Sequence, residues 1–431
     1  MRTPRAAMPL AAALFLFFLI LLLIPASAFA LLPSHPPPGL EKLIREALAN
    51  NPRLKAAREK FDALSQRPSQ ARSWANPKVG FGIMSLPVNT FSFGQEPMTE
   101  KQFTVEQTIP FPGKLPLKGE IAAREADIAD EAVKEEKVDL IRQVKTAYWD
   151  LLLIDKTIDV TRGNRDLLRD FVKTAENRYA VGKGIQQDVL QAQVELSKMI
   201  DALIYQRQEK ETLTARMNAL LYRSLDTEVM ETRGEDLGKL KPAPFAVSAG
   251  QLEGMAAADS PVLAGARRKI KKDLLAVRLA KKDYYPDFDT EISYGQRDSM
   301  PDLVSGSVFV SIPLWHRTKE DKKVDEERAG VLAARQQYDS LRDDLFFRLK
   351  DAVLELQRYD NQIDLFRTGL IPQAQAALQS AIAAYSVNKV DFETLIDNQI
   401  TLYNYEIKYY SLLADYENTI AGIEAAVGRQ L

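Results

Sequence analysis

Residues 43–54 and 252–263 share one frame, and that repetition constrains the fold more than any other feature of the chain. In the first stretch Leu43, Ala47, Pro52 and Leu54 stand at set spacings; 209 positions later the same spacings return as Leu252, Ala256, Pro261 and Leu263. The offset persists at Asn76-Pro77 and Tyr285-Pro286. Further along, Ile109-Pro110 answers Ile312-Pro313, and Tyr179-Ala-Val-Gly182-Lys183 answers Tyr385-Ser-Val-Asn388-Lys389. Anchors that recur in the same order define an internal duplication, so whatever one half folds into is built twice.

Each half reads helix, strand, loop, strand, very long helix, turn, long helix. Between Pro116 and Tyr179 there is no proline, and apolar residues recur at three and four: Leu140, Val144, Ala147, Leu151, Ile154, Ile158. Gly163-Asn164 is a soft spot where that helix can bend without ending. About 60 residues at 1.5 Å each give a rod of roughly 90 Å. The second half repeats the plan over 319–385 and 392–427, and rods of this length pack lengthwise as coiled-coil pairs. The turn-rich stretch 224–244 joins the halves. The resulting division is a leader over 1–30, a first repeat over 31–223, a linker over 224–249 and a second repeat over 250–431.

The leader rests on Arg2 and Arg5, the apolar run 10–24, Pro25, and Ala26-Ser27-Ala28-Phe29-Ala30, the order of a secretory signal cleaved after Ala30. A retained anchor is the competing reading, but a spanning helix needs about 20 apolar residues and this run is shorter. No later segment is long and apolar enough to span. The proline-rich start (Pro33, Pro36, Pro37, Pro38) is expected to be extended.

Composition then removes whole classes of function. With 57 basic and 59 acidic residues the net charge is −2, so no bulk charge draws the chain to nucleic acid. Zero cysteines exclude disulfides, thiolate metal sites and lipidation of an N-terminal cysteine. Two histidines leave little for metal binding or general-base work. No Gly-x-Ser-x-Gly, His-Glu-x-x-His or convergent His/Asp cluster is present. These absences point to no enzyme, no cofactor and no resident metal.

The short strands alternate. Phe103, Val105 and Ile109 oppose Gln102, Thr104, Glu106 and Thr108, with the register mixed at Gln107. Phe288, Thr290, Ile292 and Tyr294 oppose Asp287, Asp289, Glu291 and Ser293; Val308, Val310 and Ile312 oppose Ser307, Phe309 and Ser311; Val79, Phe81 and Ile83 oppose Lys78, Gly80 and Gly82. Membrane barrels alternate apolar-out and polar-in, and a half-buried soluble sheet alternates in the same way. Four strands cannot close a barrel, since the smallest have about eight. A homo-oligomer could supply the rest.

Taken together, these pieces make the chain resemble the TolC-type outer-membrane efflux channels over essentially the whole mature sequence. The matching elements are the paired starts at 43–54 and 252–263, the two strand pairs, and the hairpin tips at 179–190 and 385–397. The resemblance implies a mainly α fold with a small β part: duplicated long hairpins forming an α-barrel, and four strands per subunit in a trimeric 12-stranded transmembrane barrel. It also implies a homotrimer in outer-membrane lipid, a periplasmic adaptor and an inner-membrane pump of the RND type. At the tips it implies a periplasmic gate of Asp188, Tyr385, Thr394 and Asp397, and adaptor docking through Val181, Gly182, Lys183, Val387, Asn388 and Lys389. Asp188 and Tyr385 match residues whose hydrogen bond holds the entrance shut, and Asp397 matches an aspartate that rings the pore. Read without the family, Asp188 is equally a helix cap, Tyr385 a packed aromatic and Asp397 a solvated residue.

The chain also departs from that family. Thr394 replaces a second ring aspartate, Val390 replaces an arginine that helps lock the tip, and Asn388 replaces glycine. Fewer polar links are therefore expected to hold the tip. Ile109-Pro110-Phe111-Pro112-Gly113-Lys114-Leu115 resembles a turn of the heavy-metal (cobalt–zinc–cadmium) branch; physically it is a rigid bend. Its counterpart carries Trp315, suited to a membrane interface, and His316, which alone binds little metal. On the strand register above, Glu106, Asp287, Asp289 and Glu291 face the barrel lumen, where they would either favour cations or simply be solvated. The function this implies is an exit duct of a tripartite system, for heavy-metal cations, small organic toxicants or a secreted protein. A periplasmic coiled-coil adaptor fits less well, because adaptors carry one hairpin and this chain carries two.

Overall fold

The computed structural model describes residues 37–232, 234–240, 244–298 and 300–431. The leader segment 1–30, with Pro33 and Pro36, lies outside the described residues. Contacts divide the chain into a unit of 39–430, which holds the strands and nearly all of the helical residues, and a small one of 1–38 with Leu431. Pro38 is not extended; it is the first residue of helix α1 (Pro38–Asn50), a position where its missing N–H costs nothing.

Short helices α2 (Pro52–Ser65) and α3 (Arg67–Arg72) follow, then strands β1 (Lys78–Met84) and β2 (Glu100–Ile109). Helix α4 (Lys114–Ala180) runs 67 residues without a break, about 100 Å. It packs along α5 (Gln186–Leu221). Turns at 222–229 and two short 3-10 turns (Met230–Thr232, Leu237–Lys239) lead to the second half. There α6 (Ala249–Asp259), α7 (Pro261–Lys282), β3 (Asp287–Gln296), β4 (Leu303–Ser311), α8 (Glu320–Leu365), α9 (Ile371–Ser386) and α10 (Phe392–Val427) repeat the order. Each pair of opening helices breaks at the same place. Asn51 caps α2 by accepting from the Arg53 amide, and Pro52 and Pro261 supply the first residue of α2 and α7.

One difference from the expected plan is local. A π turn, Phe366–Leu370, separates α8 from α9. Pro372 explains it: proline cannot donate to the carbonyl four residues back and its ring presses on it, so the preceding turn widens. In the first half the aligned stretch, Val160 to Asp166, has no proline, and α4 passes through Gly163 as ordinary α-helix. Asn164 there is buried and accepts a hydrogen bond from Gln399 of α10.

The four strands form one antiparallel sheet in chain order, β1-β2-β3-β4. Its register puts like with like. Val79, Val105 and Ile292 lie side by side, as do Phe81, Phe103 and Tyr294; Lys78, Glu106 and Glu291 share the other face. The apolar face is solvent-exposed: Val79 at 78%, Val304 at 75%, Val308 at 65% and Ile292 at 64%. Strands that expose an apolar row and a polar row have no soluble core to cover them.

The helices are held together by apolar packing and by complementary charge. Arg268 of α7 binds Glu131 of α4 at 2.7 Å and Asp127 at 3.2 Å, and Arg53 of α2 binds Glu136 of α4 at 3.1 Å. Where the halves join, Arg223 takes both oxygens of Glu46 at 2.6 Å and reaches Glu231 at 3.2 Å, with Lys42 on Glu231 at 3.0 Å. Burial would raise the Glu231 carboxyl; the hydrogen bonds from Arg223 and Lys42 outweigh it and hold the group down to about 2.

Candidate functional site

The two hairpin turns end in the same backbone motif. After α4, the Lys183 amide bonds the Arg178 carbonyl at 2.8 Å and Gly182 takes φ 71°; after α9, the Lys389 amide bonds the Ala384 carbonyl at 2.9 Å and Asn388 takes φ 60°. Both are left-handed helix ends, which glycine enters freely and asparagine tolerates. Val181, Gly182, Lys183, Val387, Asn388 and Lys389 are all exposed at these turns.

Behind the turns lies a buried cluster of Leu168, Phe171, Ala175, Ala192, Leu378, Tyr385, Phe392 and Leu395. It joins the two hairpins of one protomer. Tyr385 is 5% exposed, stands edge-on to Phe392 at 5.5 Å, and its hydroxyl donates to Asp188 at 3.4 Å. Asp188 does not cap α5, whose N-cap is Ile185 without a side-chain bond. Burial raises the Asp188 carboxyl above its usual range, against the pull of the Tyr385 hydroxyl and the Arg178 charge. Thr394 lies one turn into α10, its amide bonded by the capping Asp391 at 2.8 Å, and Asp397 is exposed on the same helix. So the structure brings Asp188 and Tyr385 together, while neither Thr394 nor Asp397 hydrogen-bonds to that pair.

Sequence reasoning missed Arg178. Its guanidinium bonds the Tyr385 carbonyl at 2.8 Å and the Asn388 side-chain oxygen, and lies 4.3 Å from the Tyr385 ring. Where Val390 offers no cation, the tip takes one from the other hairpin. The available signal was that the repeats differ here, Arg178 in the first against Ala384 in the second.

At the sheet, the expected lumen carboxylates do share one face, and two of the four, Glu106 and Asp287, are paired with lysines within the protomer. Lys78 binds Glu106 at 2.9 Å, Thr108 donates to Asp289 at 2.6 Å, and Asp287 takes Lys114 at 2.9 Å and the Phe111 amide at 2.7 Å. Glu291 alone of the four has no partner among the described residues. The bend at 109–115 gains a purpose: Gly113 takes φ 94°, Lys114 is buried to reach Asp287 and the Tyr285 carbonyl, and Phe111 stacks on Tyr285 at 4.4 Å. His316 lies 3.8 Å from Asp321 and Trp315 is 75% exposed. Among the described residues no group of three or more His, Asp or Glu is placed to hold a metal ion, and no helix is long and apolar enough to cross a membrane.

What such a chain can build is a wall: a sheet with an oily side and a wet side, continued as coiled hairpins whose turns interlock. That is the class of channel-forming outer-membrane proteins. The sequence pattern of outer membrane efflux proteins matches residues 43–221 and again 252–429, and the chain belongs to that family. It is 22% identical over 407 residues to the cobalt-zinc-cadmium resistance protein CzcC of Cupriavidus metallidurans, covering 91% of this chain and 90% of that one. In fold it is similar to the outer-membrane channel OprN (TM-score 0.78, 17% identity, 91% and 90% covered). It is also similar to VceC of Vibrio cholerae (TM-score 0.76, 18% identity, 91% and 96% covered). The chain is thus an outer membrane efflux protein, and its fold is that of these outer-membrane channels.

Proposed function

We propose that three copies of this chain form a passive exit duct of a tripartite efflux system, loaded by an inner-membrane pump of the RND type through a periplasmic adaptor. The observation that carries this is the sheet: its apolar row is exposed and both edge strands, β1 and β4, lack an outer partner in one protomer. Lipid tolerates no unpaired edge, so copies must close it, and three give the twelve strands of a complete barrel. The duct catalyses nothing; the pump supplies the energy.

In this reading Asp188, Tyr385, Thr394 and Asp397 surround the periplasmic entrance, Val181 to Lys183 and Val387 to Lys389 meet the adaptor, and Glu106, Asp287, Asp289 and Glu291 face the lumen. Heavy-metal cations are the cargo. The support is the similarity to a cobalt-zinc-cadmium resistance protein and the bend at Gly113-Lys114, which resembles a turn of the heavy-metal branch. The pairing of Glu106 with Lys78 and of Asp287 with Lys114 takes up two of the four lumen carboxylates, which weakens selection by the wall itself and leaves choice of cargo mainly to the pump.

Purified full-length protein in planar bilayers should pass ionic current, and a strain lacking the gene should become sensitive to zinc, cobalt or cadmium with organic toxicants unchanged. Sensitivity confined to dyes, detergents or antibiotics would replace the metal cargo with organic molecules. Absence of current would overturn the duct.

A further inference from the structure

The register of the sheet puts all four crossings between strand and helix at one end. Lys78 opens β1 beside Glu106 of β2, and Asp287 opens β3 beside Ser311, the last residue of β4. The exposed apolar row stops at this rim, with Val79 at the start of β1 and Ile312 just beyond β4. Past it the chain changes character. Trp74 is 58% exposed ahead of β1, Tyr285 48% ahead of β3 and Trp315 75% after β4. Each stands two to four residues from bases: Arg72, then Lys281 and Lys282, then Arg317.

These bases have no acid of their own. Arg72, Lys118, Lys281, Lys282 and Arg317 make no ion pair among the described residues, whereas the carboxylates beside them are taken. Lys114 holds Asp283 and Asp287, and the Tyr284 hydroxyl donates to Asp321. Two of the bases are also held in place. The Lys282 ammonium lies 5.4 Å from the rings of Phe111 and Tyr285, which stack on each other. Arg72 lies across Gly119 of α4, next to Lys118, where any Cβ would collide with it. The opposite end of the sheet is unlike this: around its loops Glu96, Glu100, Asp298 and Asp302 outnumber Lys101 and Arg297.

An apolar face that ends in amphipathic rings, and then in cations, follows the layers of a lipid leaflet: acyl chains, glycerol esters, phosphates. We propose that this rim binds the headgroup phosphates of acidic phospholipids, with Arg72, Lys118, Lys281, Lys282 and Arg317 as donors and Trp74, Tyr285 and Trp315 at the ester level. This rests on the reading of the apolar row as lipid-facing. A zwitterionic lipid brings an ammonium that offsets its phosphate, and an acidic one does not. Cations without neighbouring free carboxylates therefore select the acidic lipid. Acids are in excess at the far rim, so the selection is confined to the leaflet on the helical side.

The chain's own tryptophans report on the site. Trp74 and Trp315 stand on the rim, and Trp149 is buried roughly 50 Å down α4. Full-length protein is reconstituted in vesicles of phosphatidylcholine and phosphatidylglycerol, one or the other brominated, and quenching of tryptophan emission gives the relative affinity. Wild type should prefer phosphatidylglycerol about fivefold or more at low salt, and less at high salt. Arg72→Gln, Lys118→Gln, Lys281→Gln, Lys282→Gln and Arg317→Gln together should bring the preference close to one, while brominated phosphatidylcholine still quenches. No preference in wild type, or a preference that survives the five replacements, overturns the site and leaves the lipid-facing row standing. Should the fivefold variant fail to assemble, Lys281→Gln with Arg317→Gln decides, and an undiminished preference there overturns the site. Quenching by neither lipid also overturns it, and Val308→Trp on the apolar row then tells how far the failure reaches. Quenched there, the row still faces lipid; unquenched, that reading falls as well.

Discussion

At the scale of single residues two of the ion-pair sites have consequences that a melt can read. Lys145 of α4 forms a buried ion pair with Glu424 of α10, and half-buried Glu417 stands beside them. Burial pushes the Glu417 carboxyl up to about 7; the Lys145 charge opposes this and the Glu424 charge adds to it. A carboxyl whose folded value is raised holds its proton in the folded state while the unfolded chain has released it. Stability contributed by Glu417 is therefore full below the ordinary glutamate value of 4.5 and is lost as pH rises towards about 7. The sum is roughly 3 kcal/mol per protomer at most. Melting of wild type should fall between pH 5 and pH 8, and Glu417→Gln should flatten that fall; parallel curves would show that Glu417 is not the group responsible. Arg223 is the opposite case. Removing it leaves Glu46 and Glu231 without their main cation, and Arg223→Ala should cost on the order of 3 kcal/mol, read as a lower denaturation midpoint. Neither site was legible in the sequence. Arg223 and Glu46 lie 177 positions apart and Lys145 and Glu424 lie 279 apart, with no periodic signal linking them.

At the scale of elements the sequence was most informative where a period decides the outcome. Strand faces follow from alternation by two, which is why Val79, Val105 and Ile292 could be placed together before any register was known. Helix ends follow from chemistry, as at Pro52, Pro261 and Gly182. What period and punctuation do not carry is the cost of accommodating one residue inside a long run, and Pro372 is that residue. The π turn Phe366–Leu370 absorbs it, with Phe366 edge-on to Tyr405 of α10 at 5.6 Å. Beyond it, Ala374, Leu378, Ala381 and Tyr385 are buried and fix how α9 faces α10. A π turn holds one residue more than the α turn it replaces. Deleting Gly369 together with Pro372→Ala should therefore restore straight α-helix while keeping both ends in register. The variant should assemble and melt within a few degrees of wild type, and its amides near 369–372 should exchange more slowly. Loss of assembly would mean that the wider turn itself is needed.

At the scale of the whole molecule one protomer is incomplete, and the incompleteness specifies how copies meet. The sheet order leaves the outer edges of β1 and β4 free, and a free edge in lipid forfeits several kcal/mol for each unsatisfied backbone group. The edge of β4 must therefore pair with the edge of β1 on the next copy. Pleating then limits the register, because directly opposed residues point to the same side of a sheet. Phe81, on the apolar side of β1, can face Val304, Gly306, Val308 or Val310 of the neighbour, but not Ser305, Ser307 or Phe309, which lie on the polar side. The chain has no cysteine, so introduced pairs report without background. Phe81→Cys combined in turn with each of the four same-side positions should give, for one of them, a disulfide ladder of dimers and trimers on oxidation. Combined with Ser305→Cys, Ser307→Cys or Phe309→Cys it should give monomer. Cross-linking at the polar positions instead would shift the pairing by one residue. It would turn the neighbour's oily row inward, and the assignment of Glu106, Asp287, Asp289 and Glu291 to the lumen would fall with it.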